Sequence, residues 1–297
     1  MSRALISSAA VSPHKARNIA PTRSFWKRFS ARGHKRVPLH VLAIALGILL
    51  SACGTATEPA TPGSSTASLS GGGGITVLAA SSLTEAFTQI GKDFEAKNEG
   101  STVTFSFGSS ATLATQIVQG APADVFAAAS PATMKTVTAA GAADAPTDFV
   151  SNTLEIAVLK GNPHKITGLE DFADESKRVA LCAPQVPCGA AAIKVFAAAK
   201  IIPKPDTLEQ DVKATLQKVA SDEVDAALVY KTDVIATGDE VDGIEFAEAR
   251  QAINTYPIAT LKDSKNSKNS ALAKAFVDYA LSPEGQAVLA NAGFAQP

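Results

Sequence analysis

Two pairs of adjacent serines stand where the sequence predicts a strand to end and a helix to begin. Ser82 completes the pair that follows the β-rich run at 75–79, and Ser110 completes the pair that follows the run at 102–107. A helix N-terminus presents unpaired backbone N–H groups and a partial positive charge, so it binds anions without cationic side chains. Serine is also a preferred N-cap, and Ser82 precedes Glu85 by the spacing of a capping box. For either pair alone, ordinary helix capping is therefore the simpler interpretation.

Three later segments place hydrogen-bond donors at similar junctions. Cys188 and Val212 each lie near the predicted start of a helix, and Tyr230 ends the β-rich run at 226–230. In parallel α/β sheets, ligands bind beyond the carboxyl ends of the strands, where the helices begin. Several helix N-termini directed at one cleft, with serine and tyrosine hydroxyls among them, would form a neutral cage for a small oxyanion.

The elements that must position these groups alternate along residues 75–297. Short β-rich runs are followed by amphipathic helical runs, which is typical of βαβ units and a largely parallel sheet. We predict strands at 75–79, 102–107, 124–128, 154–160, 178–182, 226–230 and 257–262. We predict helices at 83–97, 112–119, 131–140, 189–200, 211–220, 270–280 and 283–292.

This alternation runs through two cycles, which are joined by the strand-like segments LEIAVLK and PIATLK. A chain that builds one α/β lobe, crosses to build a second and then returns would close two lobes on a two-strand hinge. We therefore predict that 75–155 with 258–297 forms lobe I and that 156–257 forms lobe II, each a mainly parallel sheet flanked by helices. From periodicity alone, a single doubly wound domain is the alternative.

The first 52 residues carry nine Lys or Arg and no Asp or Glu, and they include an apolar run of 14 residues at 37–50. A basic segment, an apolar core and small residues before a cleavage site are the features of a secretory signal peptide. The apolar run is shorter than the roughly 20 residues needed to span a bilayer as a helix. We expect 1–52 to be a signal peptide, with an uncleaved N-terminal anchor as the alternative.

The segment Leu50-Ser51-Ala52-Cys53 resembles the bacterial lipobox, whose cysteine becomes the lipidated N-terminus. Residues 54–74 are rich in Thr, Ser, Pro, Ala and Gly and carry one charge, which is typical of a flexible tether. We therefore expect 53–74 to join a lipid on Cys53 to the folded body. The protein would be exported and held at the outer face of the cytoplasmic membrane.

Removal of the leader changes the charge balance. Taking its nine cations from the total of 27 leaves 18 Lys or Arg against 28 Asp or Glu, a formal charge of −10 for residues 53–297. Nucleic-acid binding is therefore not expected, because it requires a basic surface. A bound anion would have to be held by local dipoles. His164 is the one histidine after the leader, which disfavours histidine metal clusters and a Ser-His-Asp triad.

The two cysteines of the folded body, Cys182 and Cys188, are six residues apart. In an exported protein a disulfide is the default, and closing so short a loop contributes about 2 kcal/mol in the chain-entropy model. A zinc site would need further Cys or His ligands. A cysteine phosphatase loop would need an arginine where Cys188 stands. We predict the disulfide Cys182–Cys188.

Several strings resemble the periplasmic molybdate-binding proteins of ABC transporters, in their lipoprotein form. They run in order through essentially all of 75–297, and the second is the most specific: ITVLAASSLTEAF, GSSATLATQIVQGAPADVF, CAPQVPCGAAAIKVFAAA, LEQDVKATLQKVASDEVDAALVYKTDV, INTYPIATLKDS and SPEGQAVLANAGF. The resemblance implies the two-lobed periplasmic-binding-protein fold of type II. It also implies delivery of the ligand to a permease energised by an ATPase, with no cofactor and no catalytic residues.

In that family the oxyanion is held by two serines, two backbone amides and a tyrosine hydroxyl. Carried over by motif, the resemblance implies that these groups belong to Ser82, Ser110, Cys188, Val212 and Tyr230. A half-cystine at Cys188 departs from the small residue that is common there. We expect a monomer that binds molybdate, and tungstate about as well. The alternatives are a receptor for sulfate, phosphate or another small anion, and an enzyme that uses Ser110 or Tyr230.

Overall fold

In the computed structural model, residues 73–262 and 267–297 are described, with the side chains of 267 and 268 left out. The signal peptide, the lipid site Cys53 and nearly all of the tether lie outside this part of the chain. Of the tether predicted for 53–74, only Gly73 and Gly74 are described, and Gly74 is the first residue of a strand. All described residues belong to one compact unit.

The first sheet, that of lobe I, orders its strands β2-β1-β3-β10-β4. Its parallel part is formed by β1, which pairs in parallel with both β2 and β3. The strand β10 runs antiparallel to both of its neighbours. The bounds are β1 Gly74–Ala80, β2 Thr102–Gly108, β3 Val125–Ala127, β4 Thr147–Asn152 and β10 Asn254–Thr260.

The second sheet, that of lobe II, repeats this plan in the order β7-β6-β8-β5-β9. The strand β6 pairs in parallel with β7 and β8, and β5 runs antiparallel to β8 and β9. The bounds are β5 Leu154–Leu159, β6 Val179–Cys182, β7 Thr207–Glu209, β8 Ala226–Tyr230 and β9 Val241–Ile244. Each lobe is thus the mainly parallel sheet that the sequence predicted, with one antiparallel strand that it did not predict.

The chain crosses between the sheets twice. It leaves lobe I after Asn152, and Leu154 already lies in a strand of lobe II, so this crossing falls before the predicted boundary at 155. It returns between Ile244 and Asn254, ahead of the predicted boundary at 257, because β10 pairs with β4 along its first half. The segment LEIAVLK therefore belongs to lobe II, which the chain enters at the first crossing. The segment PIATLK begins within β10 of lobe I, to which the chain returns at the second crossing.

Helices cover both sheets, and their apolar faces form the core of each lobe. Along β1, Val77 and Ala79 belong to one buried cluster and Leu78 to another, because successive side chains of a strand point to opposite faces. Lobe II has a single large buried cluster. The helices are α1 Thr84–Lys97, α2 Ser110–Val118, α3 Pro131–Ala139, α4 Pro187–Ala199, α5 Val212–Ala220, α6 Lys231–Ala236, α7 Ser267–Leu281 and α8 Pro283–Asn291.

Four elements carry too weak a signal to be predicted. The strands β4, β7 and β9 and the six-residue helix α6 are short, and β4 has only two apolar residues, Phe149 and Val150, among six. Their structure depends on pairing with distant segments. Within the described residues, every helix is too short or too polar to cross a bilayer.

Candidate functional site

The two serine pairs of lobe I lie at the carboxyl ends of neighbouring parallel strands. Ser82 lies in a single 3-10 turn, Ser81–Leu83, between β1 and α1, and Ser110 is the first residue of α2 after β2. Both side chains are buried. Because β1 and β2 pair in register up to Ala80 and Gly108, the two turns meet at the same edge of the sheet.

Lobe II presents two helix N-termini to the same place. In α4, the amide of Ala190 donates to Val186 O at 2.9 Å, so the amide of Cys188 precedes the first bond of the helical ladder. In α5, Asp211 is the N-cap, and its Oδ1 accepts from the amide of Ala214 at 3.0 Å. The amide of Val212 is therefore one of the unpaired N–H groups that open a helix.

Tyr230 ends β8 and is fully buried. Burial raises the pKa of its hydroxyl well above the usual value, so the group stays protonated and keeps its one donor hydrogen. The structure thus brings all five residues predicted for the site to the border of one cavity between the lobes: Ser82, Ser110, Cys188, Val212 and Tyr230.

The cavity is small, and no cationic side chain of the described residues borders it. It measures about 10 Å³, far below the roughly 300–1,000 Å³ of pockets that hold organic ligands. Its described border holds serines, a tyrosine, small apolar residues and Asp211, with no Lys, Arg or His. Since the Asp211 carboxylate accepts a backbone bond inside its own helix, the groups left to meet a ligand are hydroxyls and amides. Such a site suits a compact acceptor-rich anion.

Each predicted side-chain donor also accepts or shares a hydrogen bond within the protein. Ser110 Oγ accepts from the amide of Ala129 at 3.0 Å. Ser82 Oγ lies 2.9 Å from the hydroxyl of the buried Tyr256, and Tyr230 OH accepts from Asn254 Nδ2 at 2.6 Å. A hydroxyl that accepts one bond from the protein keeps its own hydrogen for another partner.

The predicted disulfide between Cys182 and Cys188 is present, with a Cα–Cα distance of 5.7 Å. It ties the end of β6 to the first turn of α4, beside the amide of Cys188. The next residue, Gly189, lies so close to the Ala183 carbonyl that a Cβ at this position would clash, so only glycine fits there. On the other side, Thr215 Oγ1 lies 3.2 Å from Cys182 Sγ and donates to Asp211 O at 2.9 Å. The bridge thus touches both helix starts of lobe II.

One ion pair spans the mouth of the cleft. Lys213 of α5 donates to both carboxylate oxygens of Glu85 on α1, at 2.9 and 3.0 Å. The same ammonium lies 3.4 Å from Oδ1 of Asp233, a fully buried carboxylate of lobe II. Burial raises the pKa of Asp233 to about 6, and the nearby Lys213 opposes that rise. The pair links α1 of lobe I to α5 of lobe II.

The capping box predicted from Ser82 and Glu85 is wrong. Helix α1 begins at Thr84 without a side-chain cap, and both predicted members of the box bond elsewhere, to Tyr256 and Lys213. The two residues have the spacing of a capping box, but both side chains instead form bonds with residues that are distant in the sequence.

Sequence reasoning missed several groups at the site. Ser109 Oγ is buried at the cavity without a hydrogen-bond partner among the described residues. Its place in the second serine pair was the only available signal. The supporting residues Tyr256, Asn152 and Asn254 lie at or next to the crossings, and no local spacing in the sequence connects them with the serines.

A family model of bacterial extracellular solute-binding proteins matches residues 75–295. Over 249 residues, the chain is 41% identical to the molybdate-binding protein ModA of Mycobacterium tuberculosis. That match covers 84% of this chain and 93% of the relative. Both the family model and the relative therefore span nearly all of the folded body.

Two solved structures share the fold. The sulfate-binding protein SubI from Mycobacterium tuberculosis aligns with a TM-score of 0.66 at 19% identity, over 74% of this chain and 86% of its own. The periplasmic molybdate-binding protein of Azotobacter vinelandii aligns with a TM-score of 0.63 at 20% identity, over 75% and 99%. At such identities these matches establish the two-lobed type II periplasmic-binding fold and leave the ligand open.

Proposed function

This chain belongs to the bacterial extracellular solute-binding proteins, and we propose that it captures molybdate between its lobes and delivers it to an ABC permease. As a member of this family the protein works outside the cytoplasm and binds its solute without converting it. The proposed ligand donors are the hydroxyls of Ser82, Ser110 and Tyr230 and the amides of Cys188 and Val212.

The observation that carries the proposal is a cavity of about 10 Å³ bordered by donors and by no cationic side chain. A net-negative protein cannot attract a dianion at long range, so the binding energy must come from short hydrogen bonds. Each hydrogen bond to a charged group is worth roughly 1.5–3 kcal/mol. Five such bonds offset the desolvation of the anion and the closure of the lobes.

Selectivity follows from the same donors. A fully deprotonated oxyanion offers acceptors in every direction and matches a cage of hydroxyl and amide hydrogens. Hydrogen phosphate brings a proton that the hydroxyl and amide hydrogens of the cage cannot pair with, and an unpaired buried polar group costs about 1–3 kcal/mol. We propose that tungstate binds about as well as molybdate, and that the smaller sulfate leaves its bonds too long.

A thermal-shift panel tests the ligand. At roughly a thousandfold excess over Kd, a ligand stabilises the fold by about 4 kcal/mol, which raises Tm by on the order of 10 °C for a chain of this size. We expect that shift with molybdate and tungstate and little with sulfate and phosphate. The Ser110→Ala variant is the matched control, since its shift should shrink. Equal shifts with sulfate would favour the sulfate receptor instead.

The N-terminal part of the proposal rests on the sequence alone. The basic leader, the apolar run and the Leu-Ser-Ala-Cys segment support export and attachment of a lipid to Cys53. Metabolic labelling with a radioactive fatty acid would test this attachment. The wild-type chain should take up label and the Cys53→Ser variant should not. Label in the variant would place the lipid elsewhere.

A further inference from the structure

Two buried asparagines stand opposite each other at the crossings between the lobes. Asn152 is the last residue of β4, Asn254 is the first residue of β10, and the two are paired in the sheet of lobe I. Both side chains are more than nine-tenths buried. A polar side chain so deeply buried at a hinge has to be hydrogen-bonded, and the identity of its partners decides what it does.

The partners of Asn254 fix which way its amide faces. Its Nδ2 donates to the Ala129 carbonyl at 2.8 Å and to Tyr230 OH at 2.6 Å. A backbone carbonyl only accepts, so the nitrogen and not the oxygen of the amide must face Ala129. The second hydrogen of that nitrogen then points at Tyr230, whose oxygen is the acceptor.

The consequence lies in the direction of the tyrosine hydrogen. Because the oxygen of Tyr230 accepts from Asn254, its own hydrogen points away from Asn254 and is left for a partner at the cavity or for the neighbouring Tyr256 hydroxyl. The backbone N–H of Ala129 in turn donates to Ser110 Oγ. Through the two backbone groups of Ala129 and through Tyr230, Asn254 is thus connected to one cavity hydroxyl of each lobe.

Asn152 repeats the arrangement on the other serine. Its Oδ1 accepts from the amide of Thr153 at 3.0 Å, which fixes Nδ2 as the group facing Thr232 Oγ1 at 2.8 Å and Tyr256 OH at 3.5 Å. The same Tyr256 hydroxyl lies 2.9 Å from Ser82 Oγ, and either oxygen can be the donor of that bond. Asn152 is thus connected to Ser82 through Tyr256, as Asn254 is connected to Ser110 through Ala129.

We propose that Asn254 is a positioning residue that holds the Tyr230 hydroxyl as a donor and thereby sets the preference of the site for unprotonated oxyanions. This inference rests on the proposed function, since it assigns a role at the same cavity. Asn254 acts through Tyr230 and does not border the cavity itself. Its contribution must therefore disappear when the hydroxyl is removed.

A double-mutant cycle on the purified protein tests this role. Asn254→Ala and Asn254→Asp are each made in the wild type and in the Tyr230→Phe background, and molybdate affinity is measured by calorimetry. In the wild type we expect Asn254→Ala to weaken binding about three- to tenfold, the range for one hydrogen bond. In the Tyr230→Phe background the same change should alter affinity less than about twofold.

A second readout distinguishes positioning from mere packing. An ionised carboxylate at position 254 accepts the hydrogen of Tyr230 and turns an oxygen lone pair toward the cavity. The ratio of molybdate affinity to hydrogen arsenate affinity should therefore fall at least tenfold in Asn254→Asp and stay within about twofold in the Tyr230→Phe double variant. Asn254→Ala supplies the affinity cycle if the aspartate variant fails to fold, which circular dichroism reports.

The outcomes separate the two proposals. If the wild type binds molybdate and the losses from Asn254 and Tyr230 substitutions simply add, Asn254 does not act through the hydroxyl and the inference fails alone. An anion ratio that is unchanged in Asn254→Asp also overturns it. If the wild type does not bind molybdate, the proposed function is wrong, and this inference, which rests on it, is wrong as well.

Discussion

The two lobes of this protein build their halves of the site from different chemistry. In the candidate site, lobe I places the side-chain hydroxyls of Ser82 and Ser110 at the cavity, where they bond to Tyr256 and to the Ala129 amide. Lobe II contributes the backbone amides that open α4 and α5, with Tyr230 as its one side-chain donor. Side-chain identity therefore matters in lobe I, and helix placement matters in lobe II.

This difference agrees with the way each lobe is held together near the cavity. In lobe II, a disulfide, a glycine at a close approach and an aspartate N-cap fix the first turns of two helices. In lobe I, the serine turns have no side-chain caps, and their hydroxyls are held by bonds to Tyr256 and to the Ala129 amide. In lobe I, a substitution should therefore affect ligand affinity by removing a hydroxyl donor. In lobe II, it should affect affinity by moving or deleting a backbone amide at the start of a helix.

The largest effect is expected when both serines of lobe I are changed to alanine. Each hydroxyl bond to a dianion is worth roughly 1.5–3 kcal/mol, so Ser82→Ala with Ser110→Ala should weaken molybdate binding by on the order of a hundredfold or more. Calorimetric titration measures this. Ser130→Ala, at the N-cap of α3 and away from the cavity border, is the control and should leave affinity unchanged. A double variant within threefold of wild type would remove both hydroxyls from the site.

Lobe II offers a sharper test, because one amide can be deleted without removing its helix. Val212 is the first residue of α5, a position that favours proline, whose missing N–H is unpaired within the helix anyway. We expect Val212→Pro to weaken binding about tenfold or more, the value of one bond to a charged ligand. Val212→Ala keeps the amide and should bind within about twofold of wild type. Equal losses in both variants would mean that the side chain, and not the amide, is used.

Removing the disulfide should affect stability more than affinity. The double change of Cys182 and Cys188 to serine is expected to lower the free energy of unfolding by about 2 kcal/mol, measured with denaturant in the absence of ligand. Because Cys188 takes part through its amide, molybdate affinity should fall only a fewfold. A loss of affinity exceeding that of Val212→Pro would show that the bridge itself places the amide.

The smallest effect is expected at the ion pair across the cleft. Glu85 and Lys213 are partly exposed, and such pairs are worth about 0–1 kcal/mol. Glu85→Gln should therefore weaken binding less than about fivefold, and less at high salt because exposed charges are screened. Glu175→Gln removes a comparable pair with Lys204 within lobe II and should have no effect. A salt-independent loss in Glu85→Gln would rule out the electrostatic explanation.

Much of the fold could be predicted from the sequence because its signals are local. The strands at 75–79 and 226–230 and the helix near 83–97 show in short windows of burial and periodicity, and the structure places elements there. The strand β4 and the helix α6 could not be predicted, since they are short and are defined by what they pair with. The exact crossing points depend on β4 as well, and no local signal in the sequence places them.

The candidate donors could be chosen by combining local signals with family resemblance, and the structure brings all five to one cavity. Their supporting residues could not be chosen. Asn254 is separated from Ala129 by 125 residues and Tyr256 from Ser82 by 174, and no local pattern connects such pairs. The spacing of Ser82 and Glu85 even pointed to the wrong partners.

The sequence by itself determined the net-negative balance of residues 53–297, the two α/β cycles and the pairing of two cysteines, because each depends on composition or short spacing. The leader and the lipid site stay predictions from the same kind of local signal. The tertiary structure decided which hydroxyls and amides meet, how small the cavity is, and which residues support the hydroxyls. The supporting bonds include those of Asn152 and Asn254. They arise only where the chain crosses between lobes and brings distant residues within hydrogen-bonding distance.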